Sequence, residues 1–395
     1  MTATILFAGY EEANLGCIAP VLAALVRERV ARPIVVPGVD FKPHRGLRTA
    51  PPVPGLAARP IAAALTGPER ARAERRGRAL TRAARRWAAT PPDAAPPRER
   101  LAAAALRRLF DQPAMPEIFA AYASVDRAIA DVLRRERPRL VVVPEDTDYM
   151  RGRLVARIVA AHGVRLVCLT PWYYSVFRSY PLVGARRADH FLVGTRAHAG
   201  RLRAAGVAPS AITVVGHPEL DAITPTPAPP PGAFLYALQG MPWEREIATD
   251  LTAILRDEPR ARLIIRPHPA LPRPAWLDAI DAPRTVRVAP ATARATTLLD
   301  EAQCVVAQTS RMLWEASLRG RSVLLPHYDA TPLTVALPAG DRRAVVARSA
   351  AELRRRVRTV LDGRGRGLTR PAIAPHHPRA TARVVAALRA LLPRD

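Results

Sequence analysis

Short, continuous apolar runs alternate with stretches of helical periodicity along most of this chain. Ile5-Leu6-Phe7-Ala8 is the first run. After a turn from Gly9 to Gly16, the residues Ile18, Val21, Leu22, Leu25 and Val26 fall on one face of a helix beginning near Cys17. Pro33-Ile34-Val35-Val36 reads as a second strand, stopped by Pro37-Gly38. Further apolar runs occupy 140–143, 165–169 and 190–193, with helices expected at about 151–161 and ending near Gly206. Runs that are apolar on both faces and alternate with helices predict a parallel sheet covered on each side.

The alternation breaks between about 43 and 116. Prolines cluster at 51–54 and 91–97, around an arginine-dense helical stretch at 70–86 followed by Trp87, and 101–110 reads as a second basic helix. This segment is expected to be an insertion. As a solvated surface helix it needs no partner. As a basic stretch with a tryptophan it fits a peripheral contact with an anionic membrane.

Thr224-Pro225-Thr226-Pro227-Ala228-Pro229-Pro230-Pro231-Gly232 reads as a semi-rigid linker. The pattern restarts beyond it with the run 233–238, a helix at 243–256 and the strand 262–265. Strands at 286–288, 305–306 and 323–325, helices at 296–301 and 312–319, and an amphipathic last helix at about 379–392 complete the reading. The chain is therefore expected to be α/β, with two Rossmann-like doubly wound domains facing a cleft. The N-terminal domain spans 1–223, the linker 224–232, the C-terminal domain 233–375 and the last helix 376–395. At 395 residues the chain also exceeds the usual reach of one core.

Composition narrows the function classes. A mean hydropathy of −0.02 and the lack of any apolar run near the length of a spanning helix argue against a membrane-embedded chain. The apolar start reads as a strand rather than a signal peptide. The three cysteines, Cys17, Cys168 and Cys304, lie far apart in no metal or disulfide spacing, so a reducing cytoplasm is expected. The net charge of +26 rests almost wholly on arginine, because Lys42 is the only lysine. Such a field attracts phosphates and anionic surfaces. The aromatic and basic signatures of a nucleic-acid module are missing, so no nucleic acid is expected as partner.

Three loops at predicted strand ends of the second half carry chemistry. Arg266-Pro267-His268-Pro269 leaves the strand 262–265 and holds a guanidinium and an imidazole on a turn stiffened by two prolines. That pair suits a diphosphate or a leaving phosphate. Gln239 and Gly240 open a second loop, where a glycine and a helix N-terminus invite an anion. Gln308-Thr309-Ser310-Arg311 opens a helix containing Glu315. Thr309 or Ser310 can cap that helix or hold phosphate, and Glu315 can accept from ribose hydroxyls or sit as an ordinary surface glutamate.

Val214-Val215-Gly216-His217-Pro218-Glu219-Leu220-Asp221 is similar to the G-x-P-x-x-D hinge of bacterial surface-carbohydrate transferases. Arg266-Pro267-His268-Pro269 resembles their K/R-P-H-P motif. Ser310, Glu315-Ala316, Gly320 and the strand 322–325 resemble their S-S-x-x-x-E-A-x-x-x-G-x-P-V segment. The chain thus resembles GT-B glycosyltransferases of capsule and teichoic-acid type, including the CDP-glycerol glycerophosphotransferases. The resemblance covers about 190–330 by motif and the rest by architecture. It implies that Arg266 and His268 bind the donor diphosphate, with His268 able to protonate the leaving group. It implies phosphate contacts from Thr309 and Ser310, a ribose contact from Glu315, and Gly216 in the hinge. Neither metal nor cofactor is implied beyond a nucleotide-activated sugar or polyol phosphate as substrate, with a glycan or lipid-linked acceptor.

The chain departs from that family at the N-domain strand end, where Leu169-Thr170-Pro171-Trp172 replaces a histidine-glycine pair. Candidates for the general base are the carboxylates just past predicted strands: Glu145 and Asp146 after 140–143, and Glu11 after the first strand. Asp146 also suits a helix N-cap. Two other readings stay open: a non-hydrolysing UDP-sugar 2-epimerase, and a degenerate GT-B protein that binds nucleotide or glycan without turnover.

Overall fold

The computed structural model describes residues 3–10, 12–37, 39–42, 46–49, 57–58, 66–89, 129–144, 163–170, 188–204, 206–227, 229–241, 243–256, 258, 260–269, 271–280, 285–290, 292–308, 310–328, 346–363 and 379–393. The chain divides into two compact units. Unit 1 comprises Met1–Asp221 together with His377–Asp395, and unit 2 comprises Ala222–His376.

Unit 1 begins with β1 (Thr4–Tyr10), α1 (Glu12–Arg27) and β2 (Arg32–Pro37). A short antiparallel hairpin of β3 (Val39–Lys42) and β4 (Gly46–Thr49) precedes β5 (Ala57–Ala58) and the long helix α2 (Gly67–Ala89). Then come β6 (Leu140–Val143), β7 (Arg165–Leu169), β8 (His190–Val193), α3 (Arg196–Ala204) and β9 (Ile212–Val214). Seven strands form one sheet in the order β5-β2-β1-β6-β7-β8-β9, and all the pairs in it are parallel. The central strands are buried along their whole length, as continuous Val/Leu runs require when both faces are covered.

Unit 2 holds β10 (Ala233–Ala237), α4 (Glu244–Arg256), β11 (Arg262–Arg266) and β12 (Val286–Val288). It continues with α5 (Ala295–Glu301), β13 (Cys304–Val306), α6 (Met312–Leu318), β14 (Ser322–Pro326), β15 (Val346–Ala347) and α7 (Ala350–Leu361). Its sheet is also parallel, in the order β12-β11-β10-β13-β14-β15. Phe234, Tyr236, Ile247, Leu251, Leu263 and Ile265 anchor its core, joined by Leu353 and Val357 of α7.

The last helix, α8 (Ala380–Leu391), returns to unit 1 and lays Val384, Val385 and Leu388 into the core beside Ile18, Leu22 and Leu25 of α1. Each such side chain contributes about 1.5–3 kcal/mol through burial. Its start is fixed by Asp221, whose two carboxylate oxygens accept the N–H groups of Ala380 and Thr381 at 2.9 and 2.7 Å.

The sequence reading did not anticipate β3, β4, β5, β9, β15 or α7, and β5, inside the expected insertion, pairs with β2 in the main sheet. One predicted element also differs in extent. The helix after β1 starts at Glu12 rather than near Cys17, and Gly16 lies inside it. Leu15 supplies the buried residue that extends the apolar stripe of Ile18, Leu22 and Leu25 back by a turn. Packing of that face outweighs the roughly 1 kcal/mol that an interior glycine costs. The expected helices at 101–110 and 151–161 lie outside the described residues. No described helix is long and apolar enough to cross a membrane.

Candidate functional site in unit 2

In a doubly wound sheet, ligands bind beyond the C-terminal strand ends where the strand order reverses. In unit 2 the reversal lies between β10 and β13. The loops leaving those two strands, with the loop leaving β11, carry the candidate residues Gln239, Gly240, Arg266, His268 and Ser310. The Leu238 N–H donates to the Arg266 carbonyl at 2.9 Å, which ties the first two loops together. Gly240 sits at φ +69°, and a Cβ on it would stand 2.6 Å from Leu271 Cδ1. The positive φ favours glycine here, whereas the exposed end of the Leu271 side chain could move aside.

Arg266 is half-buried at the end of β11. Its Nη2 donates to the Ala293 carbonyl at 3.3 Å and its Nη1 reaches the Met312 thioether at 3.5 Å. Its buried Nε has no hydrogen-bond partner, and among the described residues no carboxylate forms an ion pair with it. Burial pushes its pKa down, and the Glu315 carboxylate nearby works against that shift. The result is a guanidinium held in place by weak neutral partners, with charge to spare for an anion. His268 follows on the same loop, partly buried, and its carbonyl accepts the Leu271 N–H at 3.1 Å to close the turn.

Ser310 and Glu315 are both buried. The Ser310 hydroxyl accepts the Met312 N–H at 3.2 Å, so it already serves the first turn of α6. Arg311 Nε donates to Glu315 Oε1 at 2.7 Å. Glu315 is thus an inward carboxylate paired with Arg311 and felt by Arg266, not an open surface glutamate. Thr309 lies outside the described residues.

The loop at Gln239 and Gly240 holds a feature that the sequence reading missed. Glu244, the first residue of α4, turns its carboxylate back onto the loop and accepts the Gln239 N–H, with further bonds from Gly240 and Met241. Burial pushes this carboxyl above the ordinary carboxylate range, against the pull of those hydrogen bonds. The expected anion position at this helix N-terminus is filled by the protein's own side chain. An acidic residue in a helix first turn is the only signal the sequence offered.

Arg321 was missed as well. It is fully buried before β14, donating to the Leu299 carbonyl at 3.2 Å, to the Pro227 carbonyl at 2.7 Å and to the Thr226 hydroxyl at 2.7 Å. It holds the first prolines of the linker against unit 2.

The remaining candidates belong to unit 1. There the strand order reverses between β1 and β6. Glu11, Glu145 and Asp146 follow those strands in sequence and lie outside the described residues. Gly216 takes φ +93° where the chain leaves β9, a conformation that favours glycine. Next to it, His217 is buried, and its ring lies edge-on to that of buried His198, with centroids 6.4 Å apart. The His217 ring fills the space beside Gly194, where a Cβ would collide with it. This histidine pair at the β8 and β9 ends was not singled out from the sequence, although Thr195 three residues before His198 marks the helix cap it makes.

No protein-family model matches the chain, and no curated protein does. Solved structures do. A Listeria monocytogenes protein known as a putative UDP-N-acetylglucosamine 2-epimerase aligns with 99% of this chain and 96% of its own, at TM-score 0.62 and 14% identity. A UDP-GlcNAc 2-epimerase from Neisseria meningitidis bound to UDP-GlcNAc aligns with 98% and 99%, at TM-score 0.59 and 12% identity. The lipopolysaccharide outer core galactosyltransferase WaaB, in its apo form, aligns with 99% of each chain, at TM-score 0.55 and 10% identity. At these identities the likeness is one of fold: two Rossmann-like parallel-sheet domains of the GT-B type.

Proposed function

We propose that the chain is an enzyme acting on a nucleoside-diphosphate sugar, and that its reaction is the non-hydrolysing 2-epimerisation of a UDP-sugar. The half-buried Arg266, one strand from the switch point and ion-paired with no carboxylate among the described residues, carries this reading. The epimerases that align over nearly the whole chain in both directions support it, and favour it over the capsule and teichoic-acid transferases that the motifs suggested.

The chemistry asks for a cation at that place. C2 of a pyranosyl donor has no neighbouring carbonyl to acidify its hydrogen. Inversion there proceeds by loss of the C2 proton to a base and of the nucleoside diphosphate from C1. A C1–C2 double bond forms as the diphosphate departs with the bonding electron pair. Return of both groups, with the proton delivered to the opposite face, gives the epimer. Negative charge develops on the diphosphate in the step, and a pre-positioned guanidinium stabilises it. His268, on the same loop, would stand near the leaving oxygens and serve as their acid. Glu315 and Arg311 would hold the nucleoside side of the ligand, with Ser310 beside the phosphates.

A glycosyltransferase breaks the same C1–O bond, and the alignment with a galactosyltransferase keeps transfer as the second reading. Incubation with UDP-N-acetylglucosamine in deuterated water, without acceptor, separates them. Epimerisation gives a second UDP-sugar carrying deuterium at C2. Turnover that requires an added acceptor would replace it with transfer.

A further inference from the structure

α2 is not absorbed by the nucleotide-sugar reading. Thr66 and Glu69 start it, the Glu69 carboxylate accepting both the N–H and the hydroxyl of Thr66 at 2.8 Å. The helix then runs for 23 residues, about 34 Å. Arg72, Arg75, Arg78, Arg82 and Arg86 are all exposed. At 100° per residue they fall within an arc of about 120° and extend about 21 Å along the axis, and Arg70, also exposed, stands about 80° outside that arc near the helix start. Ala71 and Ala79 share that arc. Glu74 flanks it, 3.7 Å from Arg78, and no acidic residue stands within it.

We propose that this arginine stripe is a docking face for an anionic lipid surface. The partner is identified by the shape of the charge. A helix laid on a plane meets phosphates along one stripe, whereas a helix in a nucleic-acid groove meets them on both flanks. The described side chains of the arc include no aromatic or amide group able to read or stack on a base. None is large and apolar either, so the helix rests among headgroups without inserting, held by charge alone. Such attachment weakens as salt screens it.

Co-sedimentation of the full chain with phosphatidylglycerol-containing vesicles tests this independently of any enzymatic reading. At low salt the protein is expected to bind these vesicles and not pure phosphatidylcholine, and to release as salt rises. Each arginine near the surface adds about fivefold in affinity. The triple variant Arg75→Gln, Arg78→Gln, Arg82→Gln should therefore bind about a hundredfold more weakly, while the matching Arg→Lys triple keeps binding. Vesicle binding that the glutamine triple leaves intact, or no binding by the wild type, overturns the proposal. So does duplex DNA that binds more tightly than the vesicles and displaces them. A melting curve for each triple separates lost charge from lost fold.

Discussion

Both units are parallel sheets whose strand order reverses once, between β1 and β6 in unit 1 and between β10 and β13 in unit 2. Their buried polar groups differ. Among the described residues every Asp, Glu, Lys or Arg buried as a whole residue lies in unit 2, namely Glu244, Glu315 and Arg321, while in unit 1 the half-buried Glu219 encloses its two carboxylate oxygens. Unit 1 buries hydroxyls and imidazoles instead, with Thr170, Thr195, His198 and His217 near its C-terminal strand ends. Tyr10 joins them, its hydroxyl donating to the Leu169 carbonyl at 3.1 Å. One scaffold thus carries two kinds of loop chemistry. Buried charge is expensive unless it is paired or used. Unit 2 pairs Glu315 with Arg311, ties Arg321 to carbonyls, and leaves Arg266 half-satisfied. That remainder is the ground on which the proposed anion site is placed in unit 2.

The sharpest way to break the contrast is through packing in unit 1. Gly194→Ala forces the His217 ring out of a fully buried position, at a cost of about 3 kcal/mol. A scanning melt should show a loss of about 6–12 °C for a unit of this size. Gly200→Ala, in open space within α3, should instead be neutral or stabilising by about 0.5–1 kcal/mol. If Gly194→Ala melts like the wild type, the imidazole pair is not packed as described.

A smaller effect should appear in the pH dependence of stability. Burial, aided by Arg165, holds His190 below the ordinary imidazole range while its ring nitrogen bonds the Thr213 hydroxyl at 2.8 Å. Its contribution is present above the ordinary imidazole pKa and is lost as pH falls through the lowered one. Glu244 runs the other way. Its raised carboxyl means that stability is full below the ordinary carboxylate pKa and falls as pH rises through the raised value. Chemical unfolding across pH should find that His190→Gln flattens the acidic loss and Glu244→Gln the loss above the carboxylate range. Unchanged slopes in both variants would contradict these environments.

The central sheet strands were legible because burial on both faces writes itself as continuous apolar runs, as at Leu140–Val143, whereas the short strands β5, β9 and β15 carry no such run. The start of α1 was not, because Gly16 looks like a stop until Leu15 is seen to pack. The candidate loops were legible in position, since they follow those runs. Their wiring was not. Arg321 meets Thr226 95 residues away, and Asp221 meets Ala380 159 residues away. Nor does local spacing show that Glu244 fills its own loop, or that Gly194 exists to admit His217. The Glu244 contact spans only five residues, but the others arise only when distant segments are brought together.

Titration calorimetry with UDP tests the central claim most directly, because it measures unit 2's hold on a diphosphate without any assumption about the reaction. Wild-type protein should bind. Arg266→Ala should lose on the order of a hundredfold in affinity, about 3 kcal/mol, with an unchanged melting curve. Arg266→Lys, which keeps the charge and loses the fork, should fall between them. An Arg266→Ala variant that binds UDP as the wild type does would contradict the account.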